Sequence, residues 1–146
     1  MQDIHQMQLS LKDILFDIKI NGHFEIFVDE EMIKIVLRNL IHNALKFCSA
    51  KDTIILSAEI DEKTSIAIIS VEDTGVGIPS SVKETLLNDS NMTTEGTAGE
   101  KGTAFGLLVC KQYLQLNETS LYLDTAERKG CLFWFTALAK KVKITD

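Results

Sequence analysis

The sequence predicts an α+β fold, a two-layer sandwich in which a mostly antiparallel mixed sheet carries helices on one face. Three observations predict it: an apolar stripe at helical spacing over Asp29 to Phe47, two β-branched runs separated by a short polar turn, and a second helix followed by a second hairpin. Runs of helix, hairpin, helix and hairpin favour this arrangement over a doubly wound parallel sheet, which needs strands and helices to alternate one by one. With 146 residues, 45% hydrophobic and 25% charged, residues 1–146 are expected to form a single domain.

The first 22 or so residues form a poorly defined lead-in, in which Leu9 to Ile18 reads as a helix. Phe24 to Val28 reads as a short edge strand. From Asp29 to Phe47, Ile33, Leu37, Leu40, Ile41 and Ala44 fall on one helical stripe, with Asp29 placed to cap the N-terminus. Thr53 to Ile60 and Ser65 to Val71 are strands of a hairpin around the polar DEKT. A long glycine-bearing stretch follows, with the only proline, Pro79, and a short helix expected at Val82 to Leu87. Long loops of this kind are lids, binding loops or disordered segments, and residues 79–101 are expected to be a mobile lid. Ala104 to Leu116 is an apolar helix, and Ser120 to Asp124 and Cys131 to Leu138 are strands around a turn at Lys129-Gly130.

The net charge of −6 argues against a nucleic-acid surface, which needs clustered lysine and arginine. A polyanionic ligand would therefore have to be held locally. Three cysteines, Cys48, Cys110 and Cys131, are odd in number and widely spaced, so neither a disulfide framework nor a zinc site is indicated. The start MQDIHQMQ lacks a signal pattern, and no apolar run approaches the ~20 residues of a membrane helix. A cytoplasmic setting fits, in a parent protein that is free to be membrane-anchored.

Three constellations offer chemistry. On the first helix Asn39, Asn43 and Lys46 recur at i, i+4 and i+7 and form one polar line. A solvated helix face gives the same line, whereas an amide oxygen also suits a hard cation and a lysine suits phosphate. Asp73-Thr-Gly75-Val-Gly77-Ile78 follows a strand directly. Glycines two apart permit a sharp turn close to a flat ligand, and a strand-end carboxylate can accept from an exocyclic amine, although the same pattern also makes plain turns. Last, Gly99-Glu-Lys-Gly102-Thr103-Ala104-Phe105-Gly106-Leu107 runs into a helix, where free amides and the helix dipole suit phosphate; a flexible connector is the alternative.

Taken in order, NLIHNALKF, DTGVGI and GTAGEKGTAFGL resemble the N box and the two glycine boxes of the GHKL ATP-binding superfamily, and of histidine kinases within it. The tail NETSLYLDTAERKGCLFWFTAL is similar to the family's closing hairpin, and the resemblance spans roughly Val28 to Leu138. It implies a Bergerat-type sandwich with ATP between the N-box helix and the lid. Asn43 would coordinate Mg²⁺, Asn39 would support the same polar site, Lys46 would meet phosphate or ribose, and Phe47 would line the base pocket. Asp73 would read the adenine amino group in a pocket shaped by Gly75, Gly77 and Ile78. Gly102, Thr103, Ala104, Gly106 and Leu107 would present backbone to the triphosphate. The γ-phosphoryl group would pass to a histidine outside this chain, on a dimerisation domain upstream or in trans, with a response regulator as the indirect partner.

The residue one turn before the metal-binding asparagine is typically glutamate in gyrase-like ATPases and anti-sigma serine kinases of this superfamily. Here it is Asn39. An amide takes no proton at neutral pH, whereas a neutral imidazole is already a nucleophile, so the resemblance favours histidine as acceptor over water or serine. The chain departs from the pattern where Ala104-Phe105 replaces the usual Gly-Leu, where Glu118-Thr119 replaces Gly-Gly after the last helix, and in lacking a clear phenylalanine box in the lid. The stretch before Asp29 is also shorter than the family's usual first helix and hairpin, and this with Ala104-Phe105 keeps open a degenerate binding or docking module without transfer. His5, His23 and His42 are expected to be surface residues, and Cys48 a packed thiol.

Overall fold

The computed structural model describes residues 13–78, 93–95, 101–103, 105–125 and 130–143; for 93–95, 101–103 and 105 it describes the backbone alone. The expected short helix at Val82 to Leu87, the position of His5, and most of the lid range lie outside these residues, as does Ala104.

The strands are β1 (Leu15–Asn21), β2 (Phe24–Ile26), β3 (Thr53–Asp61), β4 (Ile66–Asp73), β5 (Thr93–Glu95), β6 (Lys101–Thr103), β7 (Tyr122–Thr125) and β8 (Cys131–Lys141). The described helices are α1 (Glu30–Phe47) and α2 (Phe105–Leu116). The main sheet is six-stranded in the order β1-β3-β4-β8-β2, with β7 also paired to β8. The β1/β3 pair is parallel, and β3/β4, β4/β8, β2/β8 and β7/β8 are antiparallel, as a mostly antiparallel mixed sheet requires.

One expectation is overturned at the N-terminal edge. Leu15 to Ile18, read as the end of a helix, belongs to β1, whose seven residues pair in register from Leu15 opposite Thr53 to Asn21 opposite Glu59. A second element went unforeseen: β5, inside the lid range, forms an antiparallel pair with β6 at the end of that range, with Thr94 opposite Gly102.

Helix α1 begins at Asp29, whose side chain accepts a hydrogen bond from the Met32 N–H at 2.9 Å, and Glu30 and Glu31 place negative charge at the positive end of the helix dipole. The face it buries comprises Ile33, Val36, Leu40, Ile41, Ala44 and Leu45; Val36 is fully buried, whereas Leu37 is only partly so. Each of the Val, Leu and Ile side chains removed from water contributes roughly 1.5–3 kcal/mol. The sheet meets this face by simple alternation, since Ala67, Ile69, Val71 and Asp73 of β4 point inward and Ile66, Ile68 and Glu72 point outward. Asp73 therefore enters the interior because it is the last inward position of its strand.

Helix α2 lies beside α1 and buries Leu107, Cys110 and Leu114. Its end is tied to the start of α1, where Asn117 Oδ1 accepts from the Asp29 N–H at 2.7 Å while its own amide donates to the Tyr113 carbonyl. The chain leaves α2 through a Schellman turn: Thr119 N–H reaches the Leu114 carbonyl at 2.9 Å and Glu118 N–H reaches that of Gln115. Glu118 adopts φ 61° at the left-handed position, the physical reason glycine is customary there.

Candidate functional site: a buried carboxylate beside the end of the first described helix

Helix α1 touches both glycine motifs. Near its middle, a Cβ built on Gly106 at the start of α2 would lie 3.2 Å from Asn39 Oδ1. At its end, the Phe47 carbonyl accepts from the Val76 N–H at 3.2 Å, and a Cβ on Gly75 would overlap that same carbonyl oxygen. Eight helical residues separate these contacts, an axial distance of about 12 Å. That span is comparable with the reach from a nucleotide base to its terminal phosphate.

Asp73 is buried, and its Oδ1 accepts from the Gly75 N–H at 2.9 Å. The Cys131 N–H also donates to this carboxylate. Burial nevertheless outweighs these bonds and pushes the carboxyl up to about 6. The turn behind it is fixed: Gly77 has φ 75°, and the buried Ile78 donates its N–H to Thr125 Oγ1 at 2.8 Å. Thr125 in turn donates to the Gly130 carbonyl at 3.0 Å. A Cβ on Gly130, which has φ 84°, would overlap the Asp73 carbonyl oxygen, so the β7–β8 turn presses against the end of β4. A further clamp holds the other flank, where Thr74 Oγ1 accepts from Thr53 N–H at 2.9 Å and donates to Asp52 Oδ1 at 3.1 Å.

The polar line on α1 is not a solvated face. Asn39 and Asn43 are half-buried and Lys46 is buried, its ammonium 5.2 Å from the Phe47 ring centroid in a cation–π arrangement. Phe47 is partly buried against the core. Leu107 is buried under the start of α2, and Gly102 and Thr103 lie on β6. Thus α1 gathers Asn39, Phe47, Asp73, Gly75 and Gly106 into one region.

Sequence reasoning missed Thr125, Asp52 and Thr74, which fix the turns around Asp73 through contacts 21 to 47 residues apart in sequence. Gly130 had a visible signal in the Lys-Gly turn, but its approach to Asp73 did not. Cys131 pairs with Asp73 across β4 and β8, and burial pushes its thiol up to about 11; Cys110 is pushed by burial to about 12. Cys48 is fully buried, as expected of a packed thiol, and His23 and His42 are exposed. Among the described residues there is no group of three or more His, Cys, Asp or Glu side chains able to hold a metal ion. No described helix is long and apolar enough to cross a membrane.

The chain is 28% identical over 135 residues to the adaptive-response sensory kinase SasA of Synechocystis, covering 92% of this chain and 35% of that one. It is 30% identical over 120 residues to the sensor histidine kinase WalK of Bacillus subtilis, covering 82% and 20% respectively. It spans about a third or less of the length of these curated relatives. Among solved structures, the catalytic domain of histidine kinase ThkA matches with a TM-score of 0.75 at 23% identity, covering 93% of this chain and 87% of that one. Full-length ShkA in complex with AMPPNP matches with a TM-score of 0.76 at 20% identity, covering 97% and 29%. Residues 28–141 match the family model described as histidine kinase-, DNA gyrase B- and HSP90-like ATPase. With the glycine motifs ordered along one helix, the expected sheet and a family match over most of its length, the chain belongs to the histidine kinase-, DNA gyrase B- and HSP90-like ATPase family.

Proposed function

We propose that residues 1–146 form one domain, the Mg-ATP-binding catalytic domain of a sensor histidine kinase, which transfers the γ-phosphoryl group to a histidine outside this chain. The observation that carries the proposal is Asp73, a buried carboxylate hydrogen-bonded to Gly75 and set at the end of a helix whose middle touches Gly106. A carboxylate at that position accepts from the adenine amino group and meets a carbonyl in guanine.

The donor set fits magnesium. It is a hard cation that takes oxygen ligands, and the half-buried Asn43 offers an amide oxygen, with Asn39 one turn away. With no carboxylate cluster among the described residues, the ion would share its coordination between Asn43, water and phosphate. When bound, it would neutralise charge on the phosphates. Lys46 would meet phosphate or ribose, Phe47 and Ile78 would line the base, and Gly102, Thr103, Ala104, Gly106 and Leu107 would present backbone to the triphosphate. Residues 79–101 would serve as the lid. Phosphoryl transfer depends mainly on positioning and electrostatic stabilisation, so Asn39, which cannot act as a base, suits an imidazole acceptor. The acceptor domain is expected upstream or in trans. One relative of known structure, ThkA, is seen with the response regulator TrrA, and a regulator is the expected indirect partner here.

Nucleotide titration with and without Mg²⁺ tests the proposal. ATP should bind better than GTP, and Asp73→Ala should cost about 1–3 kcal/mol of ATP affinity. Asn43→Ala should abolish the magnesium-dependent part, and Asn39→Ala should weaken it less. Equal ATP and GTP affinity, or magnesium dependence that survives at Asn43→Ala, would overturn the assignments. Transfer to a histidine of the cognate helical domain, with little ATP hydrolysis alone, completes the test. ATP binding without transfer would favour the docking module, and recovery of transfer by Ala104→Gly with Phe105→Leu would show that those side chains had blocked it.

A further inference from the structure

The outward face of the sheet is unlike the solvated face such a strand pattern usually gives. β4 sends Ile66 and Ile68 outward, and β8 sends Leu132, Trp134 and Leu138. Leu138 is 62% exposed and Ile68 39%. Tyr122 of β7, opposite Trp134 in register, stacks on it with ring centroids 4.2 Å apart. Contiguous exposed apolar surface with stacked aromatics marks interaction sites on soluble domains.

The register gives this face a relief. Trp134 lies opposite Ser70, which lies opposite Ser57, so a small-residue floor runs from the aromatic pair towards Lys19 of β1. The resulting hollow of about 630 Å³ is bordered by Glu59, Glu72 and Asp124, with Lys19 as its cation. Glu72 and Asp124 flank Leu132 from opposite sides in one cross-strand row. None of these three carboxylates belongs to an ion pair found among the described residues.

We propose that this face docks an amphipathic segment of a partner protein that carries lysine or arginine beside an apolar stripe. Charge selects that occupant. A second copy would bring the same carboxylates together in a chain already at −6, and an anionic membrane would be repelled by them. A basic segment instead pairs with Glu59, Glu72 and Asp124, covers Ile68, Leu132 and Leu138, and can lay a cation on the Trp134 ring. The site lies on the sheet face opposite Asp73 and does not depend on the nucleotide reading.

Trp134 is the only tryptophan of the chain, so its fluorescence reports from the docking face itself. The probe is a 14-residue helical peptide of leucine and lysine, with a leucine and glutamate peptide of the same pattern as control. The lysine peptide should give a saturable blue shift that weakens with added salt, and the glutamate peptide none. Glu59→Lys with Glu72→Lys should weaken binding by about tenfold or more, whereas Glu30→Lys with Glu31→Lys, on the exposed side of α1, should change it by less than about twofold. Melting curves verify folding, and Glu59→Gln with Glu72→Gln serves if charge reversal unfolds the protein. Equal binding of both peptides, equal loss from the two double reversals, or no Trp134 shift would overturn the proposal. A Trp134 shift with anionic vesicles, or self-association lost at Trp134→Thr, would overturn it in favour of a membrane or a second copy.

Discussion

The two ends of the site, one where α1 finishes at Phe47 and one near the middle of α1 at Asn39, are built on different terms. At Phe47 the neighbouring turn is held by backbone against backbone, Gly75 against the Phe47 carbonyl and Gly130 against the Asp73 carbonyl, and the Ile78 N–H is fastened to the Thr125 hydroxyl. At Asn39 the neighbour of Gly106 is a side-chain amide, 3.2 Å from where a Cβ would sit. The first end is shaped before any ligand arrives, which suits the proposed reading of a rigid base. The second leaves a polar side chain able to adjust, which suits the proposed contact with phosphates and a metal.

The largest way to break this comparison is to add a methyl group at the rigid end. Gly130→Ala combines a residue at φ 84° with overlap of the Asp73 carbonyl, and Gly75→Ala overlaps the Phe47 carbonyl. Left-handed backbone costs a non-glycine residue roughly 1–2 kcal/mol and overpacking about 1–3 kcal/mol more. Gly130→Ala should therefore lower stability by about 3 kcal/mol in denaturant unfolding and weaken ATP by displacing Asp73. A loss below about 1 kcal/mol would show that the turn yields.

Asp73 tests the same end with the opposite sign. Its carboxyl titrates near 6 in the fold against an ordinary value of 3.8, so between those values the folded protein binds more protons than the unfolded chain. Stability from this group is present below pH 3.8 and is lost as pH rises through about 6. At neutral pH that loss is on the order of 3 kcal/mol, so Asp73→Asn should raise the melting temperature while ATP affinity falls. ATP affinity of the native protein should itself decline as pH drops below about 6, where the carboxylate is neutralised. A destabilised Asp73→Asn would mean that its bonds to Gly75 and Cys131 outweigh the burial of charge.

What the sequence discloses follows the same division. Asp73 was legible as a carboxylate after a strand and ahead of two glycines, and Asp29 because a cap precedes a helical stripe; that β4 runs on to Asp73 and carries it inward was not. The burial of Lys46 was not, since polar spacing on a helix says nothing of what packs above it. Leu11, Ile14, Leu15 and Ile18 fall at helical spacing, and only pairing with β3, more than thirty residues on, settles Leu15–Asn21 as a strand. The β5–β6 pairing was hidden because glycine and polar residues there read as loop. Glu118 is a legible departure with a measurable cost: at φ 61°, Glu118→Gly should stabilise the protein by about 1 kcal/mol in chemical unfolding. No gain would mean that the greater chain entropy of glycine cancels the relief.

The smallest expected effect belongs to the adjustable end. Gly106→Ala places a methyl group against Asn39 Oδ1 rather than against backbone, and the amide can give by a few tenths of an ångström through its own torsions. Alanine also favours the helix over glycine by about 1 kcal/mol, which offsets the crowding. Net stability should therefore change by less than about 1 kcal/mol, in contrast to Gly75→Ala and Gly130→Ala. The displaced Asn39 should still register in function, lowering magnesium-dependent ATP affinity more than magnesium-independent affinity. A stability loss as large as that of Gly75→Ala would show that Asn39 is held as firmly as the backbone at Phe47. Both ends of the site would then be equally rigid, and the proposed metal would have to fit a fixed site.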